Sequence, residues 1–248
     1  MARIVCLAVS RKHSHFCVAG IDMERHTWIR PVSDRCDGAI PEETMAIQGG
    51  EKPSLLDILE VPLAGQQTLG EYQPENWRLN DMPWRKIGQA RVESLSKYAS
   101  LSRTVLHNDT DRISPDELMA LPRACRSSLQ LIESSNVRFA RDPKTSQAWR
   151  AGFTVFGHEY DLRVTDPVAE ETLNQGKEIP SECFLAVSLT EPWRSSSDTE
   201  PYCYKLVAGV IQRTNSIVRS SLESSTRPIA LAEFLSAILV EETPLCIR

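Results

Sequence analysis

Arg11, Lys12 and His13 stand between Ser10 and His15 in a polar turn flanked by two apolar runs, RIVCLAVS at 3–10 and FCVAGIDM at 16–23. A turn of this kind presents cations outward, where arginine and lysine neutralise phosphates. An ordinary solvated hairpin turn carries the same residue types. Trp28 and Arg30 share one face of TWIRPVS at 27–33 by period-two alternation. If that face is open, the indole can stack on a base while the guanidinium holds a phosphate. If it is covered, the tryptophan is core, the commoner fate of a strand tryptophan. Trp149 and Arg150, with Tyr160 and Arg163, offer an analogous platform in the second half, and Lys205 sits among apolar neighbours in the last strand. Packing roles for Trp149 and Tyr160, and a lysine that snorkels from an edge, are the competing readings. The expected nucleic-acid contacts are Arg11, Lys12, His13, Trp28, Arg30, Arg163 and Lys205.

Catalytic chemistry finds less support. His13, His15 and Cys17, with His26 and Cys36 nearby, include zinc-ligand types, but no second close pair completes a set. Phe16, Val18 and Ala19 would desolvate Cys17 and raise its pKa, which makes it a poor nucleophile. Neither a GxxxxGK[ST] phosphate loop nor a strand–GxGxxG–helix unit occurs. Asp166 reads as a helix cap rather than a catalytic acid. Binding without catalysis is therefore expected, with no metal and no cofactor.

The elements that must position these residues repeat. The runs at 3–10, 16–23 and 27–33 form a three-strand meander, PEETMAIQGG at 41–50 suits a short helix, and SLLDILEVPL at 54–63 gives a fourth strand. IGQARVESL at 87–95 is a weaker candidate for a fifth, after a polar connection, YQPENWRLNDMPW. SPDEL at 114–118 opens a connecting helix with a capping box, interrupted at Pro122. A second meander follows in 131–142, 148–157 and 159–167, then a helix VAEETLNQ closed by Gly176 and two strands at 183–193 and 203–213. Three strands, a helix and two strands, seen twice, is the order of the five-stranded OB barrel. The predicted fold is mainly β, two tandem OB-like barrels over 1–110 and 111–213, with one larger β-sandwich or mixed α+β domain as the alternative. Residues 214–227 read as a serine-rich linker and 228–240 as an amphipathic helix, within a tail of 214–248.

The chain of 248 residues has 41% hydrophobic and 25% charged residues, a globular composition. Its net charge of −5 argues against a protein coated in cations that clings to any polyanion. The first 36 residues carry six Lys/Arg against three acids, so a cationic surface is sought there. Seven scattered cysteines point to reduced thiols, and no apolar run resembles a secretory signal or a membrane span, so a cytoplasmic protein with no membrane partner is expected.

VSRKHSHFCVAG at 9–20, WIRPVS at 28–33, LLDILEVPL, YQPENW at 72–77, DRI at 111–113, YDLRVTDP at 160–167 and YKLVAGVI at 204–211 resemble the dual-OB (DuOB) domain family. The resemblance runs over nearly the whole chain, up to about residue 213. It implies prokaryotic proteins proposed to bind DNA or RNA and encoded near mobile-element or phage-conflict genes. The alternative reading is a protein-interaction adaptor or sensor subunit of a multi-protein antiviral defence assembly, which would hold partners from neighbouring genes by the C-terminal amphipathic helix or a barrel face and which the acidic charge balance fits better.

Overall fold

The near-continuous apolar run at the start of the chain becomes β1 (Ala2–Lys12) in the computed structural model, which describes residues 1–12, 15–45, 47–66, 72–195 and 198–213. It pairs antiparallel with β2 (His15–Asp22), which pairs with β3 (Trp28–Val32). β4 (Asp57–Val61) returns along the first half of β1, with Ile4 opposite Leu59. After Pro62 the chain continues as β5 (Leu63–Gln66), antiparallel to β6 (Asn76–Leu79), which lies parallel to β3. Because one residue separates β4 from β5, the sheet returns to β1 and closes. A bulge between Cys6 and Ala8 supplies the bend that closure needs. β7 (Arg85–Gln89) adds outside the ring, on β4.

A 3-10 helix (Val92–Tyr98) leads to the second half. There β8 (Arg112–Ile113) precedes α1 (Pro115–Ala120), whose Ser114–Glu117 capping box forms as predicted. β9 (Leu129–Ser134) and β10 (Arg138–Arg141) act as one bent first strand. β10 pairs with β11 (Trp149–Val155), and β11 with β12 (His158–Val164). After α2 (Pro167–Asn174), β13 (Cys183–Leu189) pairs with β9, and β14 (Cys203–Gln212) joins β13 to β12, parallel to the latter. Each half is thus a closed ring in the order first, second, third, fifth, fourth, the OB arrangement.

Two differences from the sequence reading have physical causes. Residues 41–45 make a turn in which Pro41 O accepts from Thr44 and Met45, Ile47 O accepts from Gly50 N in a second, and no helix forms among the described residues here. Ile47 must be extended to bridge Trp84 while Met45 fills the barrel, so helical winding cannot continue. The fifth strand of the first barrel is β6, from the segment read as a connection, and the weaker candidate at 87–95 gives β7 outside the ring and the 3-10 helix. Pro31 lies within β3. Only Trp28 and Ile29 pair with β2, so the missing N–H at Pro31 takes nothing from that ladder. The expected C-terminal helix at 228–240 lies outside the described residues. No helix among the described residues is long and apolar enough to cross a membrane.

The continuous apolar character of β1 has a reason: both of its faces are buried. Ile4 and Cys6 point into the first barrel with Val18, Ile29, Leu59 and Trp84. Val5 and Leu7 point out, against Leu129, Leu131, Phe184, Ala186, Ala208 and Ile211 of the second barrel. The second barrel's own interior holds Phe153, Tyr160, Leu162, Val164, Leu185 and Val207. At the joint a Cβ on Gly209 would stand 2.1 Å from Leu7 O, so only glycine lets β14 come this close to β1. Gly209→Ala is expected to lose about 2 kcal/mol or more in urea unfolding, by prising β1 from β14. Gly65→Ala, where a Cβ meets nothing within 4 Å, is expected to stay within about 0.5 kcal/mol of the parent.

Candidate nucleic-acid interface

The alternation that places Arg30 and Trp28 on one face holds, but the second barrel covers most of that face. Arg30 is 5% exposed. Its Nη1 donates to Asn76 Oδ1 and Ser128 Oγ, both at 3.0 Å, and its Nη2 to Ser188 Oγ at 3.1 Å. Ser128 Oγ donates onward to Glu75 Oε2 at 2.6 Å, while Ser128 N donates to Glu75 Oε1 at 2.8 Å. Asn76 donates to Gln73 Oε1, and Gln73 to Leu189 O, which completes a polar layer between the barrels. Burial pulls the guanidinium pKa down and Glu75 pushes it back; the group remains a cation. Arg30 is therefore an internal clasp, and its expected contact with a phosphate is corrected.

Lys205 is corrected for the same reason. At 2% exposure, it donates to Asn108 O at 2.8 Å, Asn108 Oδ1 at 2.6 Å and Thr110 O at 2.6 Å. Its Nζ lies 5.4 Å from the Tyr160 ring centroid. Burial lowers its pKa to about 8, against the pull of Asp111 and Asp109. All three ammonium hydrogens are engaged in holding the 108–110 loop.

The remaining expected residues divide. Lys12 reaches Asp37 O at 2.5 Å and Glu191 Oε2 at 3.0 Å, with 26% of its side chain exposed. Arg11 is exposed, and its backbone N–H donates to Thr165 O in the second barrel. Arg163 is exposed too, and both arginines act on Glu170: burial raises that carboxyl's pKa while Arg163 and Arg11 pull it back. The fold thus brings together two cations 152 positions apart in sequence. Trp28 is half-buried beside Tyr98 in a cleft. His13 lies outside the described residues. The analogous platform of the second half does not form. Arg150 is paired with Asp161 and Asp142, Trp149 donates to Asn174 beneath Arg141, and Tyr160 is buried with its hydroxyl between Val105 N and Asn108 O. Burial raises the Cys17 thiol's pKa. Among the described residues, no three His, Cys, Asp or Glu side chains are grouped to hold a metal ion.

A different aromatic surface stands on the loop between β13 and β14. Trp193 is 61% exposed and exchanges backbone hydrogen bonds with Tyr202, both at 2.9 Å. Its ring lies 5.7 Å from that of Tyr204, and Tyr202 lies 6.5 Å from Tyr204. The Arg112 guanidinium sits 4.8 Å from the Tyr202 centroid and 5.7 Å from that of Tyr204. Asp198 fixes it at 2.9 Å and also accepts from the Tyr204 hydroxyl; Tyr204 first, and then Arg112, hold that carboxyl below the usual range. Arg194 beside Trp193 is exposed, and Glu191, the partner of Lys12, is two positions before Trp193. The signal in EPWRSSSDTEPYCY was the spacing of Tyr202 and Tyr204, which puts two aromatics on one strand face next to an Arg-flanked tryptophan.

The sequence profile of a family described as a dual OB-containing domain matches residues 2–210. Comparison with curated proteins finds no match, and neither does comparison with solved structures.

Arg30→Met should leave the Glu75 carboxylate without its cation at the joint and cost about 3–5 kcal/mol in urea unfolding, with part of the loss recovered in Arg30→Met/Glu75→Gln. For Lys205 the sign follows from a folded pKa of about 8 below the ordinary 10.5. Between those values the unfolded chain binds a proton that the folded chain has released, so this lysine's contribution rises with pH. The unfolding free energy of the parent, minus that of Lys205→Met, should increase between pH about 7 and about 10; a flat difference would contradict the assignment.

Proposed function

As this chain belongs to the dual OB-containing domain family, we propose that it binds single-stranded nucleic acid and performs no chemistry on it. Bases stack on Trp193 and the adjoining tyrosines, while Arg194, Arg11 and Arg163 contact phosphates. The observation that carries this reading is the exposed Trp193 ring, backed by tyrosines that Arg112 and Asp198 hold in place. OB barrels use the loop between their fourth and fifth strands for ligands, and base–aromatic stacking tolerates any sequence because every base has a π-face. Arg112 is fixed by its carboxylate, so its part is to orient the tyrosines rather than to reach a phosphate.

Fluorescence anisotropy with labelled single-stranded DNA and RNA at low salt tests the reading. Trp193→Ala should weaken binding by about 5- to 100-fold, the loss of one stacked base. Arg11→Ala/Arg163→Ala should lower the slope of log K against log salt by roughly one or more. Binding that ignores Trp193→Ala, or no binding of either strand type, removes the proposal.

A further inference from the structure

A cleft of about 280 Å³ opens where the start of β3, the end of the 3-10 helix and β9 meet. Trp28 and Tyr98, both half-buried, stand on its walls, and Leu106, Leu129 and Leu131 supply apolar lining. Its polar lining is Ser100, Ser102, Ser127, His107, Gln130 and the Cys125 thiol. Among the described residues, no carboxylate, lysine or arginine lines it. Lys97 Nζ stands 4.7 Å from the Tyr98 centroid and Glu75 accepts from Ser127 Oγ, so one charge of each sign lies behind the lining, while the lining itself suits a neutral ligand.

The wall at Leu106 and His107 is held in a costly shape. These residues have φ of +41° and +85°, between Val105 and Asn108, which bridge each other. Two central residues with positive φ define a turn that favours glycine and asparagine, and each strained residue costs on the order of 1–3 kcal/mol. Hydrogen bonds over-determine it. Tyr160 Oη accepts from Val105 N at 3.1 Å, Gln130 Oε1 accepts from Leu106 N at 2.6 Å, and His107 Nε2 lies 2.7 Å from Ser127 O. Gln130 also donates to Ser100 Oγ at 2.8 Å, so its amide shapes the wall instead of facing a ligand. By contrast, Trp28 Nε1, the Tyr98 hydroxyl and His107 Nδ1 have no hydrogen-bond partner among the described residues. Burial keeps the imidazole pKa low, which leaves a neutral ring with one donor and one acceptor.

Rigid aromatic walls, a neutral lining, hydrogen-bonding groups in reserve and a volume just below the roughly 300–1,000 Å³ of drug-sized sites describe a receptor for a small flat heterocycle. We propose that this cleft binds a nucleobase, held against Trp28 and Tyr98 and read at its edge by the free polar groups. The site is separate from the Trp193 platform and stands whether or not a strand binds there. The base can come from a free nucleoside or from a nucleotide turned out of a bound strand.

Calorimetric titration of the intact protein with adenosine, guanosine, cytidine and uridine, and with indole as a flat ligand lacking a base edge, tests this. Ser102 is exposed at the cleft and its Oγ accepts only a long 3.4 Å bond from Thr104 N, so Ser102→Phe should block the site in a protein that still folds. At least one nucleoside should bind with Kd below about 1 mM, at least tenfold more weakly in Ser102→Phe, and with unchanged affinity in Trp193→Ala. Tyr98→Phe, which removes only the hydroxyl, should weaken that nucleoside more than indole. Ser102→Phe that also weakens oligonucleotide binding assigns the base to a bound strand, and unchanged oligonucleotide binding assigns it to a free nucleoside. No nucleoside binding, binding indifferent to Ser102→Phe, or indole bound as tightly as the best nucleoside overturns the proposal.

Discussion

At Gly209 the backbone of β14 lies so close to the carbonyl of Leu7 that no side chain fits between them, and the apolar outer faces of the two barrels close around that contact. Apolar burial is non-directional, and it would let two such faces slide. Direction comes from the polar layer beside it, where the Arg30 fork bonds Asn76 of its own barrel and Ser128 and Ser188 of the other. Ser128 is the pivot, accepting from the cation and donating to Glu75. A buried arginine of this kind contributes geometry more than energy. The two OB rings are consequently one body, and surfaces built from both keep a fixed shape.

That use of cations constrains how a ligand can be held. Arg30, Lys205 and Lys12 are committed to internal acceptors, and Arg150 to two aspartates. On a chain of net charge −5, the three exposed arginines assigned to phosphates, at 11, 163 and 194, would give a small counterion-release contribution. If a strand binds as proposed, stacking would carry more of the affinity than charge, and binding would respond to aromatic substitutions more than to salt. The same deficit of cations in the cleft at Trp28 selects for a neutral heterocycle over a phosphate.

The second ring's element order was legible, and the first ring's in part, because strand periodicity and helix caps are local signals: Ser114 and Glu117 form their box, and Asp166 caps α2 by accepting from Val168 and Ala169. β6 was not legible, since four residues with little alternation gain their strand character from lying parallel to β3. Period-two reasoning put Trp28 and Arg30 on the right face but says nothing of what covers it, and the cover, Ser128, is 98 positions away. The unbroken apolar runs of β1 and β13 held that information in another form, because a strand with no polar face has none exposed to water. Trp193, Tyr204 and Arg112 were missed as a group for a similar reason: the arginine precedes Tyr204 by 92 positions. Composition near the amino end suggested a cationic surface, and of its six cations the fold buries Arg30, half-buries Lys12 and leaves Arg3, Arg11, Arg25 and Arg35 exposed.

The segment from Val105 to Arg112 ties these features together. Its first residues form the strained wall of the cleft, its last supplies the guanidinium of the Trp193 platform, and Lys205 pins the stretch between through Asn108 and Thr110. The backbone of Lys205 reinforces that hold by donating to Asp111 O. A lysine suits this place better than an arginine would, because three hydrogens on one point charge can gather carbonyls from a tight loop, whereas a planar fork needs acceptors spread as they are around Arg30. Lysine is also the cation whose charge burial can lower into the range of mild alkali. As that proton leaves, one of three loop contacts loses its donor. A single buried ammonium therefore holds the loop from which both candidate surfaces draw residues, and this gives a physical reason for a charged residue near the start of the largely apolar final strand.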